Sequence, residues 1–220
     1  VPEDLASEVG TLGGRVLFAH KLGLALVEGL DEGAAARLRG GKGVVEVAPD
    51  ATFSLSPASS DLQAEAVGPA PASPGDPTLA MGYARQWDLR AIHADDAWAA
   101  GRRGSPNVTV AILDTGIDYL YPDLQGKVDL TRSASFVPGD DVLVETYFPG
   151  RHPVTDLNYH GTHVAATAAS NALILAGVTS GTTLMGVKVC NVAGSCSLGA
   201  IVFGLLHAVD QGADVANLSL

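Results

Sequence analysis

Residues 108–118 read Val-Thr-Val-Ala-Ile-Leu-Asp-Thr-Gly-Ile-Asp, a near-continuous apolar or β-branched run closed by a carboxylate and a glycine. Such a run without alternation predicts a strand buried on both faces, as in a parallel sheet. An alanine-rich helical pattern starts at His160, and residues 183–190 form a second apolar strand. Leu198, Ile201, Val202, Leu205, Leu206 and Val209 share one helical face, Gly212 ends that helix, and residues 214–220 start another buried strand. Strand, helix, strand, helix, strand is an α/β pattern: a parallel sheet flanked by helices.

The first fifty residues carry a different pattern. Residues 2–11 predict a short helix, and 14–20 with 23–30 predict a hairpin around Lys21-Leu22-Gly23. Asp31 is placed to N-cap a helix through Leu38, with Arg37 and Arg39 in its last turn and Gly40-Gly41 ending it. Residues 44–47 predict a strand closed by Pro49-Asp50. The order α-β-β-α-β is that of a small α+β, ferredoxin-like unit lacking its first strand. Residues 54–80 are rich in Pro, Ala, Ser and Gly, which predicts a linker. Residues 125–158, rich in turn residues, predict surface loop.

Composition narrows the function classes. The 220 residues are 47% hydrophobic and 17% charged, enough apolar content for a substantial core. A net charge of −11 argues against a nucleic-acid partner, because phosphates would be repelled. No apolar run approaches the roughly 18–20 residues that span a bilayer, so no membrane partner is expected. The acidic start Val1-Pro2-Glu3-Asp4 has neither an initiator Met nor a signal-peptide pattern, and suggests an excision point or an internal piece of a gene. Cys190 and Cys196 are the only cysteines; a disulfide and two free thiols both remain open.

Two residues carry the candidate chemistry. Asp114 lies at a strand's C-terminal end, on the rim where open α/β sheets collect functional groups. His160 stands just before a helix, whose positive end disfavours the imidazolium and keeps the ring able to accept a proton. An acid that orients a base could activate a nucleophile, if the fold brings the two together. His160 and His163 also form an H-x-x-H pair, with Asp114 as a third potential ligand. Zinc proteases place their histidines at i, i+4 around a glutamate, and here the spacing is i, i+3 around Gly161 and Thr162, so the metal reading is set aside. His163 is expected to pack within its helix.

Asp-Thr-Gly-Ile-Asp (114–118) followed by His-Gly-Thr-His-Val-Ala (160–165) resembles the subtilisin-like serine proteases, the subtilases, over about residues 86–220. The family's third motif, Gly-Thr-Ser-Met-Ala around the nucleophilic serine, does not occur in these residues, so the chain is expected to stop before the catalytic serine. The resemblance implies a serine endopeptidase with Asp114 and His160 as two of its three catalytic residues, secreted and acting on polypeptides. It implies that Asp156 lines the cleft beside the scissile residue, and that Gly194, Ser195 and Cys196, with Ser219 and Leu220, pair with extended substrate. Asp123, in Tyr-Pro-Asp-Leu, aligns with a structural calcium ligand; no cofactor is implied for catalysis. Residues 43–50, Gly-Val-Val-Glu-Val-Ala-Pro-Asp, resemble the close of the family's inhibitory prodomain. The implied organisation is a prodomain over 1–56, a linker over 57–82 and an incomplete catalytic domain over 83–220, with the prodomain as intramolecular inhibitor. The rival reading is a catalytically inactive subtilase half that binds peptides or inhibits a protease.

Overall fold

The computed structural model describes residues 1–2, 4–55 and 76–220. Most of the segment read as linker lies outside the described residues. At the N-terminus, helix α1 (Leu5–Thr11), strands β1 (Arg15–His20) and β2 (Leu24–Glu28) and helix α2 (Glu32–Arg39) follow the predicted order. β1 and β2 are antiparallel. Asp31 caps α2 by accepting from the Ala34 amide at 2.7 Å. Leu5, Val9 and Leu38 form the centre of this small core.

Residues 44–47 do not form the predicted strand. Val44 and Val47 lean on the small core while Val45 is 97% exposed, so the inward positions fall three apart instead of two. The strand β3 (Thr52–Ser54) comes later, and its partner lies in the C-terminal half. Residues 77–82, read as linker from composition, are packed: Pro77 and Ala80 are buried, and the Gly82 amide donates to the Ile174 carbonyl at 2.7 Å.

Two short helices, α3 (Trp87–Ala91) and α4 (Ala94–Ala99), lead to strand β4 (Thr109–Asp114). After it come β5 (Ala134–Ser135), α5 (Pro138–Tyr147), α6 (His160–Ala168), β6 (Thr183–Lys188), β7 (Ser195–Ser197), α7 (Leu198–Asp210) and β8 (Val215–Asn217). The central sheet has the order β5-β6-β4-β8 and is parallel throughout. Alternate residues of β4 serve the two faces: Ala111 and Leu113 pack with α7, Ile112 with α6. Helices on both sides explain why β4 is apolar without alternation.

Helix α5 corrects the reading of residues 125–158 as loop. Pro138 at the first helical position and Asp140-Asp141 in the first turn are helix-start signals, although Pro and Gly together suggest a turn. The helix is pinned by burial of Asp140 and Val144. Ser197 caps α7 through the Ala200 amide at 3.1 Å. Cys190 and Cys196 form a disulfide, which settles the alternative left open by sequence.

Candidate active site

Asp114 ends β4, and its neighbour in register on β6 is Lys188. The aspartate is completely buried, and the Thr115 amide donates to its Oδ1 at 2.7 Å. His160 opens α6 and brings its ring Nδ1 to 2.8 Å and 3.0 Å from the two Asp114 oxygens. The carboxylate is an acceptor, so Nδ1 carries the proton and the neutral ring keeps the lone pair on Nε2. With 28% of its side chain exposed, the ring stays accessible on one side. Burial pushes the Asp114 carboxyl above its ordinary value; the hydrogen bonds from His160 and the Thr115 amide oppose this, and the nearby Asp156 adds to it.

Two glycines let the motif loops touch. Gly116 has φ +116°, a conformation that disfavours side chains. A Cβ on Gly161 would collide with the Gly116 carbonyl oxygen. Close approach of backbones explains the glycine of His-Gly-Thr; a turn into the helix does not. Tyr159, just before the histidine, sits at φ +113°.

Asp156 accepts from the Thr115 hydroxyl, the Asn158 and Tyr159 amides, and both the amide and hydroxyl of Thr162. It also lines a cleft of about 720 Å³ beside the His160 turn, together with Tyr147 and Phe148 of the α5 end, Leu157, Tyr159 and Val192. Asn158 ties that turn to the neighbouring loop through its side-chain amide and the Val192 carbonyl, at 2.8 Å.

Gly194, Ser195 and Cys196 lie along an edge that another part of the chain already occupies. β3 runs antiparallel to β7, with Thr52, Phe53 and Ser54 opposite Ser197, Cys196 and Ser195. The Leu55 amide donates to the Gly194 carbonyl, and the Leu198 amide to the Ala51 carbonyl, both at 2.8 Å. Asp50 accepts from the Gly199 amide at 2.8 Å and from the Ser197 hydroxyl. Ser219 and Leu220 follow β8 and are exposed; the Ser219 hydroxyl donates to Asn217 Oδ1 at 2.9 Å.

His163, expected to pack in its helix, is exposed. Thr167 donates its hydroxyl to the His163 carbonyl at 2.9 Å. His152, within the stretch read as surface loop, is half-buried, and burial lowers its pKa. Among the described residues no three His, Cys, Asp or Glu side chains converge as a metal site would require.

The surroundings of Asp123 do not suit calcium. It is fully buried, and its oxygens accept from the amides of Leu173 (2.7 Å), Ile174 (3.0 Å) and Leu175 (2.9 Å). A calcium ion takes 6–8 oxygen ligands, whereas this pocket turns N–H hydrogens toward the carboxylate. Repulsion from those amides disfavours a cation.

Sequence reasoning missed the groups that support the pair. Lys188 is fully buried, 3.0 Å from Asp140 of α5, and donates to the Thr155 carbonyl at 2.8 Å. Asp140 in turn accepts from the Val192 amide at 3.3 Å, linking α5 to the loop before β7. A lysine within an apolar strand run was the signal for Lys188, since a buried ammonium demands a partner. Thr115 and Thr162 had no such signal.

The sequence profile of the Subtilase family matches residues 105–220. The chain therefore belongs to the subtilase family. It is 38% identical over 151 residues to "Thermophilic serine proteinase" of Bacillus sp. (strain AK1), covering 67% of this chain and 33% of that protein. It is 40% identical over 129 residues to "Minor extracellular protease Vpr" of Bacillus subtilis (strain 168), covering 59% and 16%. It is 41% identical over 131 residues to "Subtilisin DY" of Bacillus licheniformis, covering 59% and 42%. The chain thus spans less than half the length of each of these relatives.

Proposed function

We propose that this chain carries the acid and base of a serine endopeptidase, with Asp114 and His160 in those roles and the nucleophilic serine supplied by the same polypeptide outside these 220 residues. The observation that carries the reading is the bond from His160 Nδ1 to a fully buried Asp114 at 2.8 Å. It holds the ring in the tautomer whose Nε2 accepts a proton. The serine hydroxyl gives its proton to Nε2 as its oxygen attacks the scissile carbonyl; the buried carboxylate stabilises the imidazolium so formed. The imidazolium then protonates the leaving amine, and water releases the acyl group by the same route in reverse.

The finer organisation is part of the same proposal. Residues 1–56 act as an inhibitory prodomain, the segment between them and the packed residues 77–82 as the linker in which maturation occurs, and the packed part through residue 220 as part of the catalytic domain. Residues 51–55 pair with residues 194–198 and occupy an edge that an extended substrate could take once that segment departs. Polypeptides are the substrates, held mainly through their backbone. Secretion accords with the disulfide and with the name of the Bacillus subtilis relative.

The test is casein cleavage by the gene product expressed at its full encoded length. Cleavage abolished both by a serine-directed reagent and by His160→Ala supports the reading. A soluble, inert product that still binds peptides would replace it with that of an inactive binding module.

A further inference from the structure

Asp156 is where the two chemistry-bearing loops meet. Its Oδ1 accepts from the Thr115 hydroxyl at 2.9 Å, the Asn158 amide at 2.8 Å and the Tyr159 amide at 3.1 Å. Its Oδ2 accepts from the Thr162 amide at 3.0 Å and the Thr162 hydroxyl at 2.6 Å. A carboxylate offers about four lone-pair sites, and five donors already converge on them. No acceptor capacity remains for a substrate side chain.

The hydroxyl protons point one way. Thr115 Oγ1 accepts from the Gly161 amide at 2.9 Å, so its own proton goes to Asp156. Thr162 Oγ1 accepts from the Asp118 amide at 2.9 Å, so its proton also goes to Asp156. Thr115 adjoins Asp114, and Gly161 adjoins His160. The bond to the Tyr159 amide holds a residue at φ +113°, a costly conformation outside glycine, directly before the histidine.

We propose that Asp156 is a positioning residue: acting through Thr115, Tyr159 and Thr162, it locks the turn that sets the His160 ring against Asp114, and it does not contact substrate. This deepens the acid–base assignment of Asp114 and His160 and rests on it.

The experiment uses the full-length gene product with histidine labelled in its ring nitrogens, comparing wild type with Asp156→Ala, Asp156→Asn and Thr162→Val. Three readouts apply: the low-field resonance of the His160 Nδ1–H, hydrogen exchange at the Leu113 amide in the core strand, and the separate kcat and KM of peptide cleavage. Asp156→Ala should shift or broaden the Nδ1–H resonance and lower kcat on the order of 100-fold at unchanged KM, as expected for a base displaced by about 1 Å. Leu113 should exchange as slowly as in wild type. Asp156→Asn should recover part of the loss, because its carbonyl oxygen can serve the three Oδ1 donors while its amino group faces the Thr162 amide. Thr162→Val should give a smaller change of the same kind, and it carries the test if Asp156→Ala does not fold. An unchanged Nδ1–H resonance in Asp156→Ala, or in Thr162→Val where that variant carries the test, overturns the proposal. So does a rise in KM alone, which would make Asp156 a substrate contact. A wild-type product without peptidase activity but with the predicted resonance changes would remove the peptidase reading and leave the positioning role standing.

Discussion

Replacing Asp123 by alanine removes the acceptor of three partly buried amides at once, those of Leu173, Ile174 and Leu175. Hydrogen bonds to a charged group contribute about 1.5–3 kcal/mol each, and a buried donor left unpaired costs about 1–3 kcal/mol. Relief of the buried charge and water entering the vacated space offset part of this. A net loss of about 3–5 kcal/mol is expected, a large share of the 5–15 kcal/mol that holds a typical domain. Asp123→Asn should lose about half as much, since its carbonyl oxygen can still serve Leu173 and Ile174 while its amino group opposes Leu175. Urea unfolding of both variants and wild type, each with excess calcium and with a chelator, measures this directly. Wild type should show the same midpoint under both conditions, because the pocket is satisfied by amides and presents no oxygen cage. A loss below about 1 kcal/mol in Asp123→Ala would refute the argument about the amides. A calcium-dependent rise of the wild-type midpoint that vanishes in Asp123→Asn would refute the argument about the metal.

Other substitutions test separate parts of the structure. Gly161→Ala should lower kcat at least about 100-fold, because the added methyl would collide with the Gly116 carbonyl and displace His160; wild-type turnover would contradict the close approach. The bonds from the Thr131 hydroxyl and Arg132 push the Asp129 carboxyl from 3.8 down to about 2. Its contribution to stability is therefore complete above pH 3.8 and lost as pH falls toward 2, and Asp129→Asn should flatten acid unfolding across that window. Replacing both Cys190 and Cys196 by serine should cost about 2 kcal/mol on the loop-entropy model and speed exchange of the Leu55 amide, which pairs with the loop the disulfide closes. An unchanged Leu55 exchange rate would show that the edge holds its shape without the bond.

The meeting of Asp114 and His160 was legible because each sits where a patterned element ends: Asp114 closes an apolar strand and His160 opens an alanine-rich helix. The alternation of helices and strands in the second half was legible for the same reason, since burial on both sheet faces leaves unbroken apolar runs. What escaped depends on contacts distant in sequence. Asp123 looked like a cation ligand until the amides some fifty positions later turned toward it. Asp156 was read as a cleft-lining acid and does line a cleft, but only the fold shows that both motif loops donate to it. Helix α5 was hidden by Pro138-Gly139, which signal a turn unless the buried Asp140–Lys188 pair is known. Residues 44–47 have strand composition, yet their inward spacing of three keeps them out of a ladder.

A double-mutant cycle on peptide cleavage by the full-length product measures the coupling between His160 and Asp114. His160→Ala should cost on the order of 10⁶ in kcat and Asp114→Ala on the order of 10⁴, the losses typical of a subtilisin-type acid–base unit. The double variant should be no slower than His160→Ala alone, because the acid acts only through the base. Losses that multiply would show two independent roles and contradict the account.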